Sequence, residues 1–355
     1  MGTHRIAVIA GDGIGKEVIA AGQEVLEALT AAQSGLAFTF EGFPWGTDHY
    51  LETGRMMPED GAEILRRYDA IYFGSAGDPR VPDHISLWQL RLAICQGLDQ
   101  YANVRPARLL PGLSSPLRSL RPGDVDWVIV RENSEGEYSG MGGRVHQGLP
   151  LEAGIDVSII TREGAERIQR FALELARSRP RKKLTLVTKS NAQRHAMVLW
   201  DEVFERVRAG FPEVRTERVL VDAMAARFVT DPTGIDVVVA TNLHADILSD
   251  LAAALTGSLG LAPTGNLNPE RSAPSMFEPI HGSAFDIMGR GIANPLGAIW
   301  SAVLMLEHLG EADAAARLMR AIERVTHDGS ALTRDLGGQA TTRDVTDAVI
   351  RGLGD

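Results

Sequence analysis

Cysteine is almost absent: Cys95 is the single one in 355 residues. No intrachain disulfide and no multi-cysteine metal site can form from it. Positive charge is also short, with 36 Lys and Arg against 46 Asp and Glu and a formal net charge of −10. A nucleic-acid-binding chain carries a basic footprint, so this balance argues against that class while leaving room for a local patch. No stretch approaches the ~18 consecutive apolar residues of a membrane helix. The N-terminal apolar run 6–10 is too short for the core of a secretory signal and runs straight into Gly11-Asp12-Gly13. What remains is a soluble, cytoplasmic, globular protein. Its 44% apolar and 23% charged residues are the balance of a folded chain. At about 100–200 residues per domain, the length suits two domains or one large one.

Short β-branched runs alternate with helical patterns. Residues 6–10, 69–73, 126–130, 184–188, 218–221 and 235–239 read as strands. Helices fill 16–31, 162–178, 194–209, 244–256, 295–309, 311–325 and 343–352, the first with Val18, Ile19, Val25, Leu26 and Leu29 along one face. This alternation predicts an α/β chain with mostly parallel pairing. Residues 139–154 break the pattern with five glycines and Pro150, and 155–159 then look strand-like. Two readings fit: a surface loop with a hairpin, or an arm that pairs with a second subunit.

Ligands of open α/β sheets bind beyond the carboxyl ends of strands, so the residues that follow each strand matter. Arg131 follows Val130, Lys189 follows Thr188, Asp222 follows Val221, and Val239 leads to His244, Asp246 and Asp250. Each placement alone fits an exposed strand end; together they suggest a site. Asp246 and Asp250, four apart, share one helical face near an N-terminus. Adjacent like charges repel, so a divalent cation would reward the pair; a helix dipole would reward it too. Gly11-Asp-Gly-Ile-Gly15 misses the dinucleotide fingerprint, because Lys16 stands where the third glycine belongs. A tight strand–helix turn is the better reading.

Taken together, several motifs resemble the β-decarboxylating dehydrogenases, the isocitrate/isopropylmalate dehydrogenase family. They are Gly11-Asp-Gly-Ile-Gly15, Ala102-Asn-Val-Arg-Pro106, Val130-Arg-Glu-Asn-Ser-Glu-Gly-Glu-Tyr138, Thr188-Lys-Ser-Asn191, Asp246-Ile-Leu-Ser-Asp250, Glu278-Pro-Ile-His-Gly-Ser-Ala284 and Ile292-Ala-Asn-Pro295. Within the family the chain is most similar to tartrate and D-malate dehydrogenases, through Met56-Met-Pro58, Val81-Pro-Asp-His-Ile-Ser-Leu-Trp88 and Asn266-Leu-Asn-Pro-Glu-Arg271. The resemblance implies an α/β, isopropylmalate dehydrogenase-like two-domain fold, not an ordinary Rossmann domain. Residues 1–100 plus 253–355 would form the first, cofactor-side domain. Residues 101–252 would form the second, with a dimerisation arm at about 139–160. It implies a homodimer with shared active sites, acting on a small hydroxy acid.

The implied reaction is NAD- and Mg²⁺- or Mn²⁺-dependent oxidation and decarboxylation of a 2-hydroxy acid with a β-carboxylate. Arg105 and Arg131 match substrate arginines, whose planar forks suit carboxylates. Lys189 matches the general base and would act from the other subunit, and Tyr138 matches the general acid, its pKa lowered by surrounding cations. Asp246 and Asp250 match metal ligands, with Asp222 from the other subunit. Glu278, His281, Gly282, Ser283, Ala284, Asp286, Ile287 and Asn294 match the cofactor loop. Asp286 would accept from ribose hydroxyls and repel a 2′-phosphate, which implies a preference for NAD over NADP.

The sequence departs from the family in three places. Cys95 stands where the family keeps its first substrate arginine, and Arg91, one helical turn earlier on the same face, is the candidate replacement. Arg91 could restore the lost carboxylate contact, or meet an extra anionic group on an isocitrate-like or phosphonate substrate, or simply be solvated. His244-Ala245 replaces the usual Phe-Gly, suggesting a packed or supporting histidine rather than a ligand. Phe285 replaces a proline, and nothing in the sequence explains it. Competing readings are oxidation without decarboxylation, a ligand-binding pseudoenzyme marked by Cys95, and a metal-dependent hydrolase; the retained acid, base, metal and cofactor residues argue against the last two.

Overall fold

The computed structural model describes residues 2–33 and 35–354. The chain divides into two units. The first comprises Met1–Gln100, Pro106–Val125 and Ala253–Asp355, and the second Tyr101–Arg105 and Asp126–Ala252. Residues 106–125 thus cluster with the first unit, where the family pattern had put them in the second. The reason is local packing: Leu109, Leu110 and Leu113 are buried, Ser115 Oγ donates to Leu255 O at 2.7 Å, and Arg108 pairs with Glu323 at 2.8 Å.

In chain order the strands are β1 (Gly2–Gly11), β2 (Leu36–Gly42), β3 (Ala70–Ser75), β4 (Ala102–Arg108), β5 (Asp126–Glu132), β6 (Gly142–Val145), β7 (Ala153–Asp156), β8 (Lys183–Thr188), β9 (Arg215–Leu220), β10 (Val237–Ala240), β11 (Pro263–Leu267) and β12 (Ser275–Pro279). In the first unit they lie in the order β2-β1-β3-β12-β11. β1 is parallel to β2 and β3, and β3 to β12, while β12 and β11 are antiparallel. In the second unit the order is β4-β5-β10-β8-β9, with β5, β10, β8 and β9 parallel. Central strands such as β3 and β10 are buried at every residue, as parallel strands covered on both faces must be.

Helices flank each unit's strands. Arg162–Ser178 buries Ala165, Ile168, Ala172, Leu173 and Ala176, an apolar stripe at helical spacing. Thr161 caps it by accepting from Gly164 N at 3.0 Å, satisfying one of the first-turn amides. Leu296–Leu309 is buried along almost its whole length, and Tyr72 Oη donates to its Ala298 O at 2.7 Å. In the second unit Trp127 stacks on Phe228 at 4.7 Å between ring centroids and donates to Pro232 O at 2.9 Å. No helix among the described residues is long and apolar enough to cross a membrane.

Residues 139–157 form a two-stranded antiparallel hairpin, β6 with β7. Met141, Val145, Leu149, Leu151, Ile155 and Val157 on it are exposed.

The Gly11–Gly15 segment is the tight turn its pattern predicts. Asp12 is buried and accepts from Thr47 N at 2.8 Å, Thr47 Oγ1 at 3.0 Å and Gly77 N at 2.9 Å. Gly13 has φ +55°, and a Cβ there would lie 2.0 Å from Ser283 O. Gly54 also has positive φ (+77°) but open space beside it. Gly13→Ala should therefore cost roughly 2–4 kcal/mol, backbone strain plus a forced shift of the 283 loop, against about 1 kcal/mol for Gly54→Ala. Urea unfolding of the two variants beside wild type measures the difference; equal costs would mean the turn does not press on that loop.

Candidate active site

Two strand arginines, one mid-strand and one near a strand end, anchor the second unit's polar cluster. Arg105 on β4 and Arg131 on β5 are only 6% and 2% exposed. A buried guanidinium needs acceptors in fixed positions. Arg105 Nε donates to Asn103 Oδ1 at 3.0 Å, and its Nη1 donates to Ser249 Oγ at 2.6 Å and Asp246 Oδ1 at 3.0 Å. Arg131 Nε donates to Asn242 Oδ1 at 2.8 Å, and its Nη1 pairs closely with the same Asp246 oxygen. Tyr138 Oη donates to the other oxygen, Asp246 Oδ2, at 3.1 Å. The Arg131 guanidinium also sits over the Tyr138 ring, 5.1 Å from its centroid. Asp246 lies on the helix Asn242–Thr256, which also supplies Asn242, Ser249 and Asp250. Asp250 is half exposed, 4.0 Å from Arg105.

The electrostatics follow from burial. Burial and the Asp246 charge raise the Tyr138 pKa above its ordinary value, against the lowering by Arg131. The family pattern had implied a lowered phenol; here the carboxylate and the loss of water outweigh the cations. Burial likewise raises Asp250, with Arg105 opposing and Asp246 adding to it. His244, on the same helix, is lowered chiefly by burial, and its Nδ1 has no hydrogen-bond partner in the structure.

Lys189, just after β8, forms a separate pair. Its Nζ donates to Asp222 Oδ1 at 2.7 Å. Asp222 is in the first turn of the helix Val221–Thr230 rather than on a strand end. No group of three His, Cys, Asp or Glu side chains among the described residues of one chain is arranged to hold a metal ion. Asp246 and Asp250 do offer hard oxygen donors one turn apart, the donor type Mg²⁺ and Mn²⁺ take.

The first unit holds a cavity of about 320 Å³, lined by His281, Ala284, Ile287 and Asn294 from the expected cofactor residues. Ile14, Ser258, Gly260, Arg290, Ile292, Arg334 and Asp335 complete the wall. Of these seven, Ile14 and Ile292 belong to motifs quoted for the family resemblance, whereas Ser258, Gly260, Arg290, Arg334 and Asp335 were not picked out from the sequence, because their local pattern carries no chemistry. Asp335 is drawn in by Ser258 Oγ at 2.6 Å and Asn294 Nδ2 at 2.9 Å. A buried polar atom of the wall residue His281, Nε2, lacks a partner in the structure. A largely apolar wall with an orphaned polar atom fits a nucleotide's base and ribose hydroxyls. Asp286 is exposed, and Gly282 lies on the same loop.

Glu278 is placed otherwise. Its Oε1 takes Arg91 Nη2 at 2.7 Å and Asn266 Nδ2 at 2.7 Å. Arg91 and Cys95 meet different surroundings. Arg91 lies in a wide turn, Leu87–Leu92, of i→i+5 type, which runs into the α-helical Ala93–Gly97. Cys95 packs in the hydrophobic cluster with Ile9, Phe73, Leu90 and Ile94. Arg91 is paired rather than solvated, its side chain 12% exposed.

Residues 5–349 match the model of the isocitrate/isopropylmalate dehydrogenase family. The chain belongs to that family. A protein of Agrobacterium vitis described as "Probable tartrate dehydrogenase/decarboxylase" is 62% identical over 353 residues, 99% of this chain and 98% of that protein. The D-malate dehydrogenase [decarboxylating] of Escherichia coli is 51% identical, covering 99% of each. The crystal structure of isocitrate dehydrogenase from Methylococcus capsulatus superposes with TM-score 0.88 at 34% identity, over 99% of this chain and 100% of that one.

One further carboxyl in this dehydrogenase, Glu132, is nearly fully buried. Glu132, next to Arg131, accepts from Ser134 N at 2.9 Å and Glu135 N at 2.8 Å, yet burial pushes its pKa up to about 7. A carboxyl whose folded pKa exceeds its unfolded value of 4.5 adds stability that is complete below pH 4.5 and lost as pH rises through 7. Glu132→Gln should therefore flatten the fall in stability between pH 5 and 8 by ~1–3 kcal/mol. Urea midpoints at both pH values, wild type against variant, test it; parallel slopes would mean Glu132 is ionised throughout.

Proposed function

We propose that this chain catalyses the NAD-dependent oxidation and decarboxylation of a 2-hydroxy acid bearing a β-carboxylate, of the tartrate or D-malate kind. The observation that carries the reading is the convergence of Arg105, Arg131 and Tyr138 on Asp246. Two buried guanidiniums make a carboxylate-binding pair, and a phenol beside them can hand a proton to carbon. The names of the similar proteins support the substrate class.

In this reading the substrate carboxylate is held by Arg105 and Arg131. Lys189 accepts the hydroxyl proton as the hydride leaves C2. The β-carboxylate then departs as carbon dioxide, its bonding pair passing into an enolate, and Tyr138 O–H protonates C3. The cavity lined by His281, Ala284, Ile287 and Asn294 would hold NAD, which would supply the hydride acceptor, with Glu278, Gly282, Ser283 and Asp286 as the other expected contributors. Asp246 and Asp250, with Asp222 from the other subunit, would hold a Mg²⁺ or Mn²⁺ ion, which would supply positive charge to offset a developing enolate.

The protein acts as a homodimer with shared sites. Support comes from the separation of Lys189 and Asp222 from the Asp246 cluster's hydrogen bonds, and from the exposed apolar hairpin. The alternative, an extra anionic group read by Arg91, is disfavoured because Glu278 already balances the Arg91 charge.

Two experiments test this. NADH formation with Mn²⁺ should be robust with D-malate or a tartrate and weak with isocitrate, 3-isopropylmalate and a phosphonomethyl malate analogue, with carbon dioxide released in step. Activity confined to the three-anion substrates would transfer the assignment to Arg91; NADH without carbon dioxide would remove the decarboxylation. Separately, Lys189→Ala and Asp246→Asn, each inactive, should recover activity when mixed and refolded together. In a twofold dimer about a quarter of wild-type activity returns, since only the mixed dimer rebuilds one intact site. No recovery would place Lys189 and Asp246 in the same chain's site.

A further inference from the structure

The Gly11–Gly15 turn leads into the helix Gly15–Ala32, and the first turn of that helix carries Glu17. The proposed reaction gives Glu17 no task. Its carboxylate reaches a segment more than 270 residues away. Gly289 N donates to Glu17 Oε1 at 2.5 Å and Gly291 N donates to Oε2 at 3.1 Å. Both glycines have positive φ, +72° and +63°.

The segment 284–292 has no strand or helix of its own, so its amides need other partners. Its internal bonds are short-range turns, Ile287 N to Ala284 O at 3.1 Å and Arg290 N to Ile287 O at 3.3 Å. Two contacts tie it to elements on either side: Glu17, and Thr342 N to Gly291 O at 2.9 Å. Ala284, Ile287, Arg290 and Ile292 from this segment form much of the cavity wall. A second bond from the same turn, Ile14 N to Ser283 O at 2.9 Å, pins the start of the segment.

We infer that Glu17 is a positioning residue for the dinucleotide: its carboxylate holds the 287–292 loop so that Ile287, Arg290 and Ile292 face the cavity. The inference rests on the reading of that cavity as the cofactor site. A carboxylate accepting two amides makes charge-assisted bonds of the stronger kind. Glutamine keeps the shape but turns an NH₂ group toward one of the two amides, so one bond is lost and one donor is left facing another. Aspartate keeps the charge on a shorter arm.

The test is NADH binding by fluorescence titration of the full chain, with amide exchange read at Gly289 and Gly291. Wild type should bind NADH and protect both amides. Glu17→Gln should weaken NADH by about tenfold, raise the KM for NAD by a similar factor and speed exchange at both glycines. The KM for the hydroxy acid should change little, so the loss is confined to the dinucleotide. Glu17→Asp should recover part of the affinity. Glu24→Gln, on the same helix and paired with Arg343 at 2.7 Å, should bind NADH as wild type does. Unchanged NADH affinity in Glu17→Gln, with or without faster exchange or a lower melting temperature, overturns the inference. Wild type that fails to bind NADH overturns the cofactor reading itself, a result visible before any variant is compared.

Discussion

Two guanidinium groups buried within reach of one carboxylate set the terms for the rest of the second unit. Arg105 and Arg131 are nearly sealed from water, and an unpaired charge in such a place is expensive. Asp246 is their shared counter-charge. That requirement fixes which face of the Asn242–Thr256 helix turns toward β4 and β5, and with it the positions of Asn242, Ser249 and Asp250 along that face. Tyr138 is then oriented by what remains of the same carboxylate. One carboxylate thus gathers groups from three other places in the sequence, Arg105, Arg131 and Tyr138.

The balance of charge in this cluster also bears on the Tyr138 phenol. With Asp246 bonded to Tyr138, burial and a neighbouring negative charge both favour the protonated phenol. A cation at Asp246 and Asp250 would reverse the sign of that local field and make the same proton easier to release.

Much of this was legible beforehand where local pattern and chemistry agree. The helix Arg162–Ser178 and strands β5 and β8 come close to their periodicity because each pairs a clean apolar stripe with a clear stop. Arg105, Arg131, Tyr138 and Asp246 were identifiable as a set through the family motifs, and the structure joins them. β2, β11 and β12 were not legible: β11 opens on a proline and β12 ends on one, and their strand character is supplied by the neighbours they pair with. The Arg91–Glu278 pair was not legible because the partners are 187 residues apart and only the fold brings them together. The cavity residues Ser258, Arg334 and Asp335 escaped notice since only the tertiary fold brings these turns together. Nothing in the structure explains Phe285.

The first unit is assembled from three stretches of chain, the last beginning at Ala253. β3 lies between β1, made early, and β12, which leaves the ribosome late. During synthesis β3 therefore waits with one edge of unpaired backbone N–H and C=O groups, while the second unit, nearly continuous in sequence, has all its residues available first. The first unit's cavity is completed late in this order, since Arg334 and Asp335, two of its eleven lining residues, belong to the last stretch. A chain stopped before Arg334 would already hold every residue of the arginine–aspartate cluster and still miss that part of the cavity wall.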